Sequence, residues 1–405
     1  MAVFAKHLTL DSSLISSKEN LAYLLGSCES GQVQEWKCAE LPAFKYRVLF
    51  KSLIDGTVII FGKNVTDDQF YCIFVVWCFV ITLACLLAFD YLLYIVGLKE
   101  IYQLAGGLLF ISSFPVFYAY NYPIFTKEDT LAYLWVVLGL IFIVKNKPLT
   151  VSIISLFAVM TRETMLLIPF CFLIISPLKL TKKAVYLLPP VIAFIGLRLI
   201  LGFESYNITA GFFRNLKIPI ESIFFLFICF GVFWMTGFLG WRLKKSSNQD
   251  GSDAAIVKSF PWVVVVVLFT ATAFTILREN RISFIMFPWI YIMSLVWIKY
   301  SYKNICKILV SKKFIYPIIF GIIGIITIFM IMAYYSETFM EYDLFKIITA
   351  SFIGSHTNIT TILDNYPSIL DWVIFAVIHL ALTLVITISF FQSKRTTAIT
   401  TYMEI

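Results

Sequence analysis

The segment FYCIFVVWCFVITLACLLAF, residues 70–89, contains 20 consecutive residues without a charged side chain. A helix needs about 20 apolar residues to cross the roughly 30 Å hydrocarbon layer of a bilayer. The whole chain of 405 residues is only 14% charged, whereas about a quarter of the residues in a soluble domain carry a charge. We therefore predict an all-α fold, a polytopic bundle of transmembrane helices.

The other apolar segments extend this prediction to about 11 candidate spans. These spans are 70–96, 101–120, 129–144, 148–160, 164–176, 183–202, 219–241, 260–277, 282–299, 314–335 and 371–392. We expect an extracytoplasmic amphipathic segment at 1–68, with surface helices at about 17–28 and 46–61. A transmembrane core at 69–300 and a C-terminal transmembrane region at 301–405, with an outer loop at 336–370, complete the predicted organisation.

Basic residues are distributed unevenly between the loops that join these spans. With residues 1–68 outside and each span crossing once, the inner loops hold 17 basic residues and the later outer loops hold 7. Cytoplasmic loops of membrane proteins carry an excess of lysine and arginine. Topology therefore explains the net charge of +8, which does not indicate a nucleic-acid partner. We expect a protein of the bacterial inner membrane, or of the endoplasmic reticulum membrane if the chain is eukaryotic. Its C-terminus is expected to lie in the cytoplasm.

Arg162 and Glu163 interrupt the apolar segment LFAVMTRETMLLIP, residues 156–169. The basic clusters that flank this segment are both expected inside, and one continuous helix would place them on opposite sides. Two short helices, 148–160 and 164–176, are therefore predicted to form a hairpin with the charged pair at its outer tip. A charge at the centre of a bilayer is costly, and the tip position avoids much of that cost.

Charged side chains outside the cytoplasmic loops concentrate at this predicted outer face. The strongest groupings of these side chains contain Arg47, Lys127, Glu128, Asp129, Arg162, Glu163, Arg198, Arg278, Glu279 and Arg281. Arginine suits bidentate recognition of phosphate, and a carboxylate can act as a general base towards a hydroxyl acceptor. The combination fits a sugar carried on a polyprenyl phosphate, whose anionic head lies at that depth in the membrane.

Each of these groups also has a purely structural interpretation. Thr126 and Asp129 fit a capping box at the start of a helix. Arg162 and Glu163 can neutralise each other at the hairpin tip, and the segment LRENRIS, residues 277–283, fits a polar turn with extended side chains. The eight cysteines have no metal-ligand spacing, so we predict neither a metal site nor a cofactor.

Four segments resemble the integral-membrane GT-C glycosyltransferases. AFKYRVLFKSL (43–53) resembles the segment that follows the first outer loop in many bacterial members of that family. FTKEDTLAYLWVVLGLIFIVKNK (125–147) is similar to the family's acid-initiated helix, and LFAVMTRETMLLIP (156–169) is similar to its short helix with a Thr-Arg step. The basic turn RENR (278–281) is compatible with a later contact to a lipid phosphate.

The resemblance implies sugar transfer from a polyprenyl- or dolichyl-phosphate donor to a lipid, glycan or protein acceptor, with inversion, at an extracytoplasmic site. In the family, an acid serves as the catalytic base, and arginines or lysines hold the donor phosphate. Here the implied base is Asp129 or Glu128, with Glu19 or Asp11 as alternatives. The implied phosphate ligands are Arg162, Arg278, Arg281, Arg47 and Lys127, and Glu163 would orient Arg162. The expected partners are the lipid-linked donor and membrane lipids.

Two other functions fit the same sequence. An O-antigen or exopolysaccharide polymerase is also polytopic and depends on arginines in outer loops, and it would polymerise repeats linked to undecaprenyl diphosphate. A lipid or solute transporter needs a path through both faces, and Asp90 and His379 are the polar residues placed deeper or nearer the inside.

Overall fold

The structure is a computed structural model, and it describes residues 48–61, 67–113, 115–116, 123–201, 212–213, 215–216, 226–227, 229–246, 254–274 and 282–309. This part of the chain is helical and contains no strand, which confirms the all-α prediction for it. The helices are α1 (Val48–Phe61), α2 (Asp67–Ile95), α3 (Glu100–Ser112), α4 (Pro123–Val144), α5 (Pro148–Thr161), α6 (Leu167–Ile175), α7 (Leu180–Leu201), α8 (Phe233–Ser246), α9 (Ala254–Phe274) and α10 (Phe287–Leu309).

In this part of the chain, four segments are long and apolar enough to cross a membrane. They are Cys72–Ile95, Leu180–Ile200, Ala254–Ala273 and Ser283–Ser301. Each falls within or overlaps a predicted span, so these segments agree with an integral membrane protein. The spans at 314–335 and 371–392 and the outer loop at 336–370 lie outside the described residues.

The described residues divide into two units. The first contains the helices between residues 48 and 201 together with residues 254–269 and Phe284–Pro288. The second contains the remaining described residues, among them α8 and the part of α10 that begins at Trp289. The charged residues at 128–129, 162–163 and 198 all belong to the first unit.

Helix α1 confirms a helix within the predicted segment 46–61, but one of its faces is buried against α2. Phe50 lies edge-on to Phe74 with ring centroids 5.7 Å apart. The indole nitrogen of Trp77 donates a hydrogen bond of 2.9 Å to Thr57 Oγ1. Phe50 is fully buried, so α1 is a packed element of the first unit rather than a helix lying only on its surface. The second predicted surface helix, at 17–28, lies outside the described residues.

Helices α4 and α5 run antiparallel to each other. The side chains of Asp129 on α4 and Arg162, directly after α5, form an ion pair. Six residues further along α4, Trp135 stacks on Phe157 of α5 with ring centroids 6.2 Å apart. Sequence numbers increase along α4 while the contacted residues on the partner decrease, which fixes the opposite directions of the two helices.

Helix α6 runs parallel to α4 and therefore antiparallel to α5. Gly139 lies ten residues after Asp129 on α4, and a Cβ atom at Gly139 would lie 2.6 Å from Cγ2 of Ile168 on α6. Asp129 on α4 contacts Arg162, and Gly139, further along α4, lies against Ile168, so residue numbers increase together on both segments. Since α5 and α6 both extend from Arg162 in the same direction along α4, they form the predicted hairpin, with its tip at Arg162 and Glu163.

The second arm of the hairpin begins with a 3₁₀ turn, Glu163–Leu166, which the sequence did not predict. The same arrangement precedes α10, where the 3₁₀ turn Ser283–Met286 leads directly into the helix. Pro169 is the third residue of α6 and Pro288 the second residue of α10. Proline is accommodated there because the first N–H groups of a helix have no intrahelical acceptor.

Helix α7 packs antiparallel to α6 and returns the chain to the hairpin tip. Near the start of α7, Lys183 donates a hydrogen bond of 2.7 Å to the carbonyl oxygen of Leu173. At the other end of the helix, Arg198 lies close to Glu163. The C-terminal turn of α7 and the tip between α5 and α6 are therefore at the same end of the first unit.

In the second unit, small residues bring α8 and α10 into close contact. Thr236 Oγ1 donates a hydrogen bond of 2.9 Å to Ser294 Oγ, and Ser294 Oγ donates one of 3.1 Å to the carbonyl oxygen of Phe233. A Cβ atom at Gly240 would lie 2.7 Å from the carbonyl carbon of Met293. Such close approach of backbones at small residues is a general feature of helix packing in membranes.

We expect Gly240→Ala to lower the free energy of unfolding by about 1–3 kcal/mol, the usual cost of overpacking. The atom that the new methyl group meets belongs to the backbone of Met293, which cannot turn aside as a side chain can. Helix propensity acts in the opposite direction, since alanine is favoured over glycine by about 1 kcal/mol. The measurement is unfolding by a denaturing detergent in mixed micelles.

Gly196→Ala is the matched control, because nothing lies within 4 Å of a Cβ atom at Gly196 on α7. This variant should be as stable as the parent protein or more stable. Equal stability of the two variants would show that α8 and α10 do not pack as closely as described.

Candidate functional site

Glu128 and Asp129 lie in the second turn of α4, because the helix begins at Pro123. The capping-box interpretation of Thr126 and Asp129 is therefore wrong: both residues lie inside the helix. Proline at the first position of a helix is favourable, since its missing N–H would have no acceptor there. Both acidic side chains are buried.

Asp129 forms a buried ion pair with Arg162 across α4 and the hairpin tip. The pair joins Oδ1 of Asp129 to Nη1 of Arg162, and the two side chains are only 2% and 3% exposed. Charges at such depth are retained in proteins when they are paired, because an isolated buried charge is very costly. The pair thus explains how the apolar segment 156–169 accommodates Arg162.

The backbone around Arg162 is held by its neighbours. The N–H of Arg162 donates to the carbonyl oxygen of Ala158 at 3.1 Å, while its own φ of −162° and ψ of 144° are extended and end α5. Thr161 is fully buried, accepts a hydrogen bond of 2.9 Å from the indole of Trp135, and donates one of 3.1 Å to the carbonyl oxygen of Phe157. These contacts position Arg162 towards α4.

Glu163 forms a second, looser ion pair with Arg198 of α7. Nη2 of Arg198 lies 3.8 Å from Oε1 of Glu163, and the two side chains are 14% and 21% exposed. Arg198 lies in the last turn of α7, where a positive charge interacts favourably with the helix dipole. Two arginines and three carboxylates, including Glu128, are thus collected at one end of α4, the hairpin and α7.

An aromatic cluster packs beside the ion pair. Tyr133, one helical turn after Asp129, contacts Phe284 and Phe287 edge-on, with ring centroids 5.2 Å and 6.0 Å away. Phe287 also packs against Phe89 at 5.1 Å. The side chains of this cluster are almost completely buried. They form an apolar cluster next to the charged end of α4.

Lysines occupy the opposite end of these helices. Lys145, at the end of α4, pairs with the hydroxyl of Tyr91 at the end of α2. It lies 16 residues after Asp129, which corresponds to about 24 Å along a helix. The other lysines of this end lie just before α3, α5 and α7 or in the first turn of α7: Lys99, Lys147, Lys179, Lys182 and Lys183. The first unit therefore has an end with arginines and carboxylates and an end rich in lysine.

The structure brings together four of the residues that the sequence assigned to a site. They are Glu128, Asp129, Arg162 and Glu163. Lys127 belongs to α4, but its side chain is not described, and the five others lie outside the described residues: Asp11, Glu19, Arg47, Arg278 and Arg281. In the sequence, Arg162 precedes Pro169 by seven residues and Arg281 precedes Pro288 by the same number.

Arg198 is the charged residue of this end to which the sequence gave no role. It is separated from Glu163 by 35 residues, and only the antiparallel packing of α7 on α6 brings the two together. The available signal was a single arginine in the last turn of a helix whose other charged residues, Lys182 and Lys183, lie in its first turn. Such intramembrane or near-membrane charges are rare and usually functional.

The site combines donors for an anion with carboxylates that can accept a proton. The guanidinium groups of Arg162 and Arg198 match the geometry of phosphate, and Glu128 and Asp129 supply carboxylates on the adjacent helix. Within the described residues, no group of three or more histidine, cysteine, aspartate or glutamate side chains is suited to hold a metal ion. No protein-family model, curated protein or solved structure matches this chain.

Proposed function

We propose that this protein is a membrane glycosyltransferase that uses a sugar donor linked to a polyprenyl phosphate. The observation that supports the proposal most strongly is the buried Asp129–Arg162 pair, with Glu128 beside Asp129 on α4 and the Glu163–Arg198 pair at the same end of the helices. This end lies about 24 Å from Lys145, measured along α4. With the lysine end in the cytoplasm, the charged site faces the extracytoplasmic side, and the chain crosses the membrane about 11 times.

The proposed reaction is a single displacement at the anomeric carbon of the donor sugar. The acceptor hydroxyl oxygen attacks this carbon while the bond from the carbon to the phosphate oxygen breaks. Glu128 or Asp129 takes the hydroxyl proton, and the polyprenyl phosphate leaves with the bonding electron pair. The arginines stabilise the negative charge that develops on the leaving phosphate.

The proposal predicts that Asp129→Asn and Glu128→Gln differ in their effect on transfer. Removal of a general base lowers the rate of a reaction by about 10²–10⁴-fold. Transfer should therefore slow by this factor in the variant that lacks the base, and by a smaller factor in the other variant. The assay uses membrane vesicles that contain the full chain and a panel of radiolabelled polyprenyl-phosphate sugars. It measures label in the acceptor and release of polyprenyl phosphate.

Lys145→Gln is the control, since this residue lies at the opposite end of α4 and should leave transfer unchanged. Movement of labelled donor across the membrane without release of polyprenyl phosphate would contradict the proposal and favour a transporter. Growth of long glycans from a repeat on undecaprenyl diphosphate would favour a polymerase instead.

A further inference from the structure

Helix α8 has a buried face and an exposed face. Gly240 belongs to the buried face, because a Cβ atom there would meet the backbone of α10. Residues three and four positions apart lie on the same side of a helix. By this spacing, four larger side chains form a second stripe, which we call the α8 stripe: Phe238, Trp241, Arg242 and Lys245. All of them are exposed except Trp241, which is half-buried, so the stripe is accessible to a ligand.

The α8 stripe changes from apolar to cationic along the helix. The rings of Phe238 and Trp241 pack against each other with centroids 5.5 Å apart. The ammonium group of Lys245 lies 5.1 Å from the centroid of the Trp241 ring, where a cation is attracted to the aromatic face. Seven residues separate Phe238 from Lys245, which corresponds to about 10 Å along a helix. The stripe therefore has an aromatic half and a basic half at neighbouring depths.

The basic half of the stripe is not neutralised by its own helix. Helix α8 contains no acidic residue. Neither Arg242 nor Lys245 forms an ion pair with any residue that the structure describes. Two exposed cations on adjacent turns of one helix attract an anion that reaches both of them. The stripe thus has the charge to bind a phosphate group.

The order of the side chains matches the order of groups in a phospholipid. Phe238 and Trp241 fall at the end of the predicted span 219–241, and Arg242 follows it directly. The loop charges predict that this end of the span lies at the inner face of the membrane. Tryptophan is enriched at membrane–water interfaces, and basic residues just beyond a span attract anionic lipids. An acyl chain beside Phe238 would leave the lipid phosphate at the depth of the two cations.

We infer that the α8 stripe binds one anionic phospholipid of the inner leaflet. Arg242 holds the phosphate through its planar fork of donors, and Lys245 adds a second positive charge. Phe238 contacts the acyl chain, and Trp241 lies between the two groups at the level of the glycerol. This inference goes beyond the proposed transfer reaction and does not depend on it, since α8 belongs to the second unit and the charged site to the first.

The double variant Arg242→Gln/Lys245→Gln should bind phosphatidylglycerol about 10- to 30-fold more weakly than the parent. Each basic residue near an anionic lipid surface contributes about fivefold in affinity. Binding of phosphatidylcholine, whose headgroup has no net charge, should stay within about twofold of the parent. The exchange Arg242→Lys/Lys245→Arg keeps both charges and should retain most of the affinity. The measurement is lipid binding to the purified, delipidated full chain in detergent micelles by native mass spectrometry.

Lys179→Gln/Lys182→Gln is the matched control. It removes two exposed lysines at the start of α7, on the same predicted side of the membrane, and changes the net charge equally. This control should bind phosphatidylglycerol like the parent. Thermal unfolding in detergent shows whether each variant is folded. The single variants Arg242→Gln and Lys245→Gln, each expected to lose about fivefold in affinity, replace the double variant if it unfolds.

Four results would overturn the inference. The first is equal affinity of the parent for phosphatidylglycerol and phosphatidylcholine, and the second is unchanged affinity after both cations of the stripe are removed. The third is an equal loss in the α7 control, which would show that overall charge attracts the lipid without a defined site. The fourth is displacement of the lipid by inorganic phosphate at equal concentration, which would make free phosphate the ligand. None of these results bears on sugar transfer, so the proposed function is tested separately.

Discussion

Replacing Arg162 or Asp129 singly should lower the free energy of unfolding by about 3–5 kcal/mol, the cost of removing one partner of a buried ion pair. Asp129→Leu should be the more severe change, because the remaining arginine cannot lose its charge, whereas the carboxylate that remains when Arg162 is replaced can take up a proton. Unfolding by denaturing detergent in mixed micelles measures the difference between the two variants.

The double variant Arg162→Met/Asp129→Leu should recover most of the lost stability. Two apolar side chains of similar volume can replace a buried ion pair at little cost or even with a gain. The double-mutant cycle then gives a large coupling energy between the two positions. If the loss of stability in the double variant equals the sum of the losses in the two single variants, Arg162 and Asp129 do not act as a buried pair.

The same double variant also separates stability from function. If Asp129 takes part in transfer, the double variant should be folded and inactive. A folded double variant with full activity would show that the pair only closes the hairpin tip against α4. The looser pair provides a comparison, since Arg198→Met should cost less stability because its partner is partly exposed.

Phe287→Ala is expected to lower the free energy of unfolding by about 3–5 kcal/mol, the typical cost of removing a buried aromatic ring. Phe287 is fully buried and contacts the rings of Phe89, Phe110 and Tyr133, with centroids 4.9–6.0 Å away. Its removal leaves a cavity beside α4, one turn from the charged residues. The effect is measured by thermal unfolding in detergent, with the loss of monodisperse protein as the signal of unfolding.

Phe269→Ala is the matched control, because the same side chain is removed at a position that is 65% exposed. It leaves no internal cavity and should change stability by less than about 1 kcal/mol, as expected for a site outside the packed core. Similar losses for both variants would mean that the aromatic cluster does not contribute more to stability than an exposed ring.

Hydrophobic patterning and loop charges were sufficient to predict the helical fold and the hairpin. A helix in lipid must satisfy its backbone hydrogen bonds internally, so long apolar segments leave little choice of secondary structure. The break at Arg162 followed from the lysines on both sides of residues 148–176, which one straight helix would separate. The 3₁₀ turn at Glu163–Leu166 was not predictable, since no local pattern distinguishes it from an α-helical start.

The sequence by itself determined that charged residues gather at one end of an apolar helical protein, and it named Asp129 and Arg162 among them. The sequence left open whether Arg162 pairs with its neighbour Glu163. The tertiary structure pairs Arg162 with Asp129 of α4 and places Arg198 of α7 beside Glu163. The physical reason is distance along the chain: these partners are 33 and 35 residues apart, and only the directions in which α4, α6 and α7 pack decide which charges meet.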